Sequence, residues 1–230
     1  MIKTQTKNIK VFATFILVLC LVFFNLSCGL DIIEYYEPPY SLYTPVPDSI
    51  DISQRHIDFS TNNSGNTISS FKGTTVFYKI YNSSSAAASD RDKLISLSKN
   101  DYTGSIVDTL KNKYKYCLLN NKNNLFPKNG NSDEKVVLDF TDPDGDYKIF
   151  VNNVEKGVPQ RIVPKNGSYL LFNFDSSYWT YDSNNDTDVE YNSSNSSDTW
   201  YVQFFAASVG LSSTLTEQYS NIVYLGCISL

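Results

Sequence analysis

A mainly β sandwich with a small helical insertion is the fold class that this 230-residue sequence predicts, and three observations predict it. Seventeen tyrosines and fourteen phenylalanines stand against a single methionine, a bias toward side chains that fit a pleated, half-buried surface. Residues 71–81 read Phe-Lys-Gly-Thr-Thr-Val-Phe-Tyr-Lys-Ile-Tyr. Apolar side chains fall on both parities of that run, so its period-two pattern suits a central strand. Asp142-Pro-Asp-Gly-Asp separates two further apolar runs. Pro143 presets φ there, and Asp144-Gly145 allows the positive φ that tight turns use.

In chain order, residues 1–27 read as a leader. Lys3, Lys7 and Lys10 precede an uncharged apolar run over residues 11–26, the charge order of an export signal. A membrane-spanning helix needs about 20 apolar residues. This run is shorter and is followed by Asn25, Ser27, Gly29 and Asp31, which favours a cleaved signal over a retained span. Ser27-Cys28, a small residue before a cysteine with apolar residues upstream, resembles a bacterial lipobox. The resemblance implies that Cys28 becomes the amino terminus and carries a diacylglyceryl thioether, anchoring the chain to a membrane. Asn25 and Leu26 depart from the commonest lipobox, a looseness similar to that of spirochaete lipoproteins. Cys28-Gly-Leu-Asp followed by Tyr35, Tyr36, Glu37, Pro38 and Pro39 resembles the start of treponemal lipoproteins. The plainer alternative is an incidental cysteine beyond an ordinary signal peptide. Cys20 follows the bulky Leu19 inside the apolar run and suits lipidation less well.

Removing the leader takes away three lysines and no acid, leaving 16 basic against 24 acidic residues and a net charge of −8. Such a surface repels phosphate backbones, so nucleic acid is disfavoured as a partner. Residues 28–49 carry Pro38, Pro39, Pro45 and Pro47 among tyrosines and read as an extended tether leading into a first edge strand. The domain proper is expected over residues 50–230.

Within it, residues 55–60 and 71–81 are expected strands. Residues 86–119 change period: Ser89 caps an expected helix over residues 90–97, and Ile106, Leu110 and Tyr114 mark a second over 105–116. Residues 120–133 read as loop, and residues 135–140 and 147–151 as a hairpin. Residues 169–174 are a further expected strand. The polar, acidic stretch 175–198 buries too little apolar surface to fold alone and is expected to be a mobile loop. Residues 199–210 and 220–229 close the chain as strands. The endings Ala206-Ala207-Ser208-Val209-Gly210 and Tyr219-Ser220-Asn221-Ile222-Val223-Tyr224-Leu225-Gly226 resemble the final hairpin of a fibronectin type III domain. Phe71-Lys-Gly73 leading to Val76, Tyr78 and Ile80 is similar to that family's third strand. The implied fold is a fibronectin type III or immunoglobulin-like sandwich, with the strand order between residues 135 and 174 left open by the insertion.

Candidate chemistry is sparse. His56 is the one histidine, and it shares a strand face with Asp58, a pairing that an ordinary surface role explains. The cysteines lack the paired spacing of structural zinc, and there is no Gly-x-Ser-x-Gly elbow. Asp142, Asp144 and Asp146, with Asp139 nearby, invite a calcium reading. Aligning Gly145 with the glycine of a twelve-residue calcium loop, however, puts Phe140 and Val151 at its end ligands, which favours a solvated turn. Asp182, Asp186, Asp188 and Glu190 form a vaguer second acidic group. Cys117 and Cys227 either pair, as exported cysteines do, or remain buried thiols. Trp179, Trp200 and the tyrosines near Asp182 and Asn192 either face a sugar or peptide or belong to the core and its rim.

No cofactor follows from these residues. The expected function is a non-enzymatic, lipid-anchored envelope protein that binds a protein or carbohydrate through loops. The alternatives are an envelope hydrolase using paired carboxylates and a purely structural envelope protein. Two or more acids converging in a concave site would favour the hydrolase.

Overall fold

The computed structural model describes residues 34–45, 51–99, 101, 103–119, 125–163, 168–174, 180–195 and 199–230; the leader and Cys28 lie outside the described residues. Its first half contains β1 (Tyr40–Tyr43), β2 (His56–Ser60), β3 (Phe71–Tyr81), α1 (Ser84–Ser98), α2 (Ile106–Asn112), β4 (Cys117–Leu118) and β5 (Leu125–Pro127). The second half contains β6 (Lys135–Asp139), β7 (Lys148–Val151), β8 (Val154–Gly157), β9 (Gln160–Val163) and β10 (Ser168–Leu171). It ends with β11 (Val189–Glu190), β12 (Tyr201–Leu211), β13 (Glu217–Tyr219) and β14 (Val223–Ser229).

The protein is mainly β. One sheet has the order β1-β2-β6-β7-β8, and the other is built on β3 and β12, with β4, β5 and β11 beside β3 and with β13 and β14 beside β12. β2, β6 and β7 of the first sheet face β3, β12 and β14 of the second across one shared core, as in a β-sandwich. The open order between residues 135 and 174 resolves into two parts. β6, β7 and β8 form a meander within the first sheet, while β9 and β10 form a separate two-stranded ribbon.

β3 shows why its sequence is apolar on both parities. Val76, Tyr78 and Ile80 point into the sandwich against Ile57, Phe59, Val136, Leu138 and Phe140. Phe77 points the other way, into a second core with Leu94 of α1 and Ile106, Val107 and Leu110 of α2. Successive side chains of a strand alternate between faces, so a central strand covered by a sheet and by helices must be apolar on both. The helices therefore form a third layer on the outer face of the second sheet.

α1 starts earlier than expected. Ser83, in extended conformation, accepts from the Ala86 amide and caps it, while Ser89 lies inside the helix. The three alanines 86–88 favour helix, so nucleation moves back to the preceding serine. α2 is shorter than expected, since Tyr114 and Tyr116 leave the helix yet stay buried in its core. Part of the expected 120–133 loop is β5, which pairs with Gly73, Thr74 and Thr75.

Residues 34–45 are docked on the domain and do not act as a free tether. Tyr36 is fully buried against Gly210, where an added Cβ would lie 2.2 Å from its hydroxyl. The Glu34 amide donates to Gln218, and Ser208 Oγ donates to the Glu37 carbonyl at 2.6 Å. The prolines remove backbone donors, as expected, but the Tyr36 ring just ahead of them supplies burial that fixes the segment.

Candidate functional site

At the end of the sandwich where β3 stops and β12 begins, the chain lays down residues 180–195. Over these residues the expected mobile loop is a docked segment. β11 pairs in parallel with β3, Val189 opposite Ile80 and Glu190 opposite Tyr81. Asn82 Nδ2 donates to the Asn192 carbonyl at 2.9 Å, and the Asn192 amide donates back to Asn82 Oδ1 at 2.8 Å. The apolar area is small, as the sequence says; paired charges and a free strand edge hold the segment instead.

The charge is Arg161 on β9, whose side chain is fully buried. Its Nε donates to Asp188 Oδ2 at 3.0 Å and its Nη2 to Asp188 Oδ1 at 2.8 Å, a bidentate pair, while Nη2 also reaches Asp186 Oδ1 at 2.9 Å. Tyr78, from the sandwich core, donates to Asp188 Oδ2 at 2.8 Å. Burial opposes the guanidinium charge, but bonding to Asp188 and attraction from both carboxylates outweigh it and hold the Arg161 pKa above its ordinary value. Burial, then the Asp188 charge, pushes the Tyr78 pKa well up, so the phenol stays a donor. Two of the four acids in the vaguer second calcium candidate, Asp186 and Asp188, are therefore taken up by an internal arginine.

An aromatic column stands on this cluster. The Arg161 guanidinium lies 5.5 Å from the Phe174 ring centre. Phe174 stacks on Trp200 at 5.8 Å, Trp200 on Tyr191 at 6.3 Å, and Tyr191 on Tyr181 at 4.4 Å with 18° between planes. Tyr191 is 45% exposed, so the outer end of the column meets solvent. Asp182, Asn184, Glu190 and Asn192 surround it as exposed polar groups. Trp179 lies outside the described residues.

On the outer face of β3 a second buried network adjoins the same segment. Lys79 Nζ contacts Asp90 of α1 at 3.2 Å and bonds Glu190 of β11. Tyr81 donates to the same Asp90 oxygen at 3.1 Å, and its hydroxyl lies 3.0 Å from that of Tyr116, which bonds Gln203. A cavity of about 270 Å³ opens beside this network, between Ser84, Ala88 and Arg91 of α1 and Gln203, Tyr224 and Cys227 of the sheet. Among the described residues no carboxylate lines it.

The remaining candidates are dispersed. His56 stacks on Tyr43 at 4.3 Å, its Nδ1 lies 3.0 Å from the Ser53 carbonyl, and its Nε2 is 3.7 Å from Asp58, which also takes Lys135 at 2.8 Å. Asp142, Asp144 and Asp146 form the hairpin turn: Asp142 Oδ1 accepts from the Asp144 amide at 2.8 Å, and Asp146 faces Lys148 at 3.6 Å. Among the described residues no group of three or more metal-ligating side chains converges.

Cys117 and Cys227 are not joined in a disulfide, so of the two readings it is the one with two separate thiols that the structure carries. Cys117 lies opposite Tyr78, Tyr78 opposite Phe204, and Phe204 opposite Gly226, the neighbour of Cys227. Three strand spacings, about 14 Å, separate the thiols, where a disulfide needs Cα atoms within about 7 Å.

Sequence reasoning missed Arg161. The available signal was its rarity: it is one of three arginines in the chain and sits inside the strand Gln160-Arg-Ile-Val163. No protein-family model matches the chain, and no curated protein and no solved structure shows significant similarity to it.

Proposed function

We propose that the chain is a lipid-anchored envelope protein whose sandwich is a non-enzymatic binding module, contacting a protein or carbohydrate through the aromatic column at the β3–β12 end. The exposed outer end of that column, Tyr191 on Tyr181, carries the reading. Stacked aromatic rings offer contact area at low cost in side-chain freedom, and a buried ion cluster beneath them preorganises the surface. The surrounding carboxylates and amides supply hydrogen-bond groups and select against anionic ligands.

The hydrolase reading needs acids free to exchange protons. The carboxylates that converge, Asp186 with Asp188 and Asp90 with Glu190, are held by Arg161 and Lys79, and among the described residues the cavity near α1 has no acid on its wall. These observations support binding over catalysis. Anchoring rests on Ser27-Cys28.

The test compares the wild-type chain with Tyr181→Ala/Tyr191→Ala on glycan and peptide arrays, with melting temperature as the folding control. The expected result is that ligands retained by the wild type are lost by the variant while melting is unchanged. Equal retention by both chains would remove the aromatic column from the function.

A further inference from the structure

We infer that the domain stands on the lipid surface by the end that carries Glu34, Leu215 and Ile68, so that the aromatic column points away from the membrane. This rests on the proposed lipid anchor at Cys28 and adds an orientation to it.

Two lengths set the geometry. From Cys28 to Glu34 the chain makes six residue steps, which span at most about 21 Å. Glu34 is fixed on the domain: its amide donates to Gln218 at 3.1 Å, its carboxylate accepts from Tyr36 at 3.1 Å, and it bonds Ser70. Ser70 in turn accepts from the Leu211 amide, so Glu34 marks the end where β12 finishes. β12 runs Tyr201–Leu211, and Trp200 of the aromatic column precedes it. Ten residue steps along a strand cover about 33 Å. The anchor therefore enters at one end of the eleven-residue β12 and the column sits at the other.

A 21 Å leash alone would let the domain tip onto its side. The surface of the anchored end decides against that. Leu215, at the tip of the turn between β12 and β13, is 77% exposed; Ile68, beside Ser70, is 40% exposed and Tyr35 is 53% exposed. Apolar side chains on turn tips next to an acyl anchor are placed to enter the headgroup region. The same end carries Glu34, Glu37 and Glu217 beside Lys72 and Lys128, so the contact it fits is a surface of uncharged or zwitterionic lipid, met by apolar tips.

Indole fluorescence on brominated lipid tests the orientation in the full lipidated chain, because bromine quenches only at contact. In a Trp179→Phe background Trp200 is the one native indole. Leu215→Trp and, separately, Asn184→Trp each add one more, both at exposed turn positions. Each protein is floated on phosphatidylcholine vesicles with and without brominated acyl chains. The expected result is that the emission added by Leu215→Trp falls by more than half on brominated vesicles, while Trp200 and the Asn184→Trp emission are unchanged. Flotation with no quenching of Leu215→Trp, or with quenching of Trp200, overturns the orientation and leaves the anchor standing. A wild-type chain that fails to float overturns the anchor and the orientation with it.

Discussion

Arg161 grips Asp188 side-on, Nε to one carboxylate oxygen at 3.0 Å and Nη2 to the other at 2.8 Å, with both side chains fully buried. Taking two charges out of water is costly, and their attraction repays it only with good geometry and further hydrogen bonds. Asp186 and Tyr78 supply those bonds, and the set joins β9, the core of β3 and the segment that carries Tyr181 and Tyr191.

Asp188→Asn leaves a buried guanidinium short of its partner and is expected to cost about 3–5 kcal/mol. The urea midpoint should fall accordingly, and limited proteolysis should cut within residues 180–195 faster than in the wild type. A loss below about 1 kcal/mol, the scale of a single neutral hydrogen bond, would show that the pair does not hold the segment.

Stability should decline on the alkaline side. Burial first, and then neighbouring groups, pushes Tyr78, Tyr81 and Tyr116 well above the ordinary phenol value of 10.0. The unfolded chain releases those protons near pH 10 and the folded chain does not. The stability is therefore complete below that pH and is lost as pH rises beyond it, by up to about 1.4 kcal/mol per pH unit for each phenol. Chemical denaturation between pH 8 and pH 11 checks this, and Tyr116→Phe should make the decline shallower.

Gly210→Ala places a methyl 2.2 Å from Tyr36 Oη and 2.7 Å from the Ser70 carbonyl. The ring must leave its site or the strand must shift, at about 1–3 kcal/mol. The expected sign is a lower melting temperature with earlier protease cleavage in residues 34–45. At Gly130, nothing lies within 4 Å of an added Cβ, so Gly130→Ala should show only the strain of its φ of +70° and leave residues 34–45 protected.

Both cysteines should be alkylated after denaturation without a reductant, giving the same mass as with one. In the native protein at pH 8 the Cys117 thiol, pushed up to about 12 by burial and then by the Asp188 charge, should react slowly. A mass that depends on reduction would restore the disulfide.

The two long strands and the 142–146 hairpin were legible because each is set locally, by period-two burial or by turn chemistry. Phe71–Tyr81 forms β3, and Gly145 takes the positive φ that its turn needs, +82°. β8 was missed since Val154–Gly157 is an exposed polar edge; its signal lay in Asn152-Asn153, both at positive φ in a two-residue hairpin loop. The docking of residues 180–195 was not readable from the segment itself, because Arg161, 25 residues before Asp186, supplies what it lacks. Apolar counting treats acids as exposed, and an acid paired with a buried arginine reverses that rule. Tyr36 hid in the same way, since its partner Gly210 is far along the chain.

The proposed location and orientation both rest on Cys28, and metabolic labelling with palmitate tests it most directly. The wild-type protein should take up the label, and Cys28→Ala, expressed to the same level, should not. An unlabelled wild type, or a Cys28→Ala chain that is still labelled, would contradict the anchored binding module.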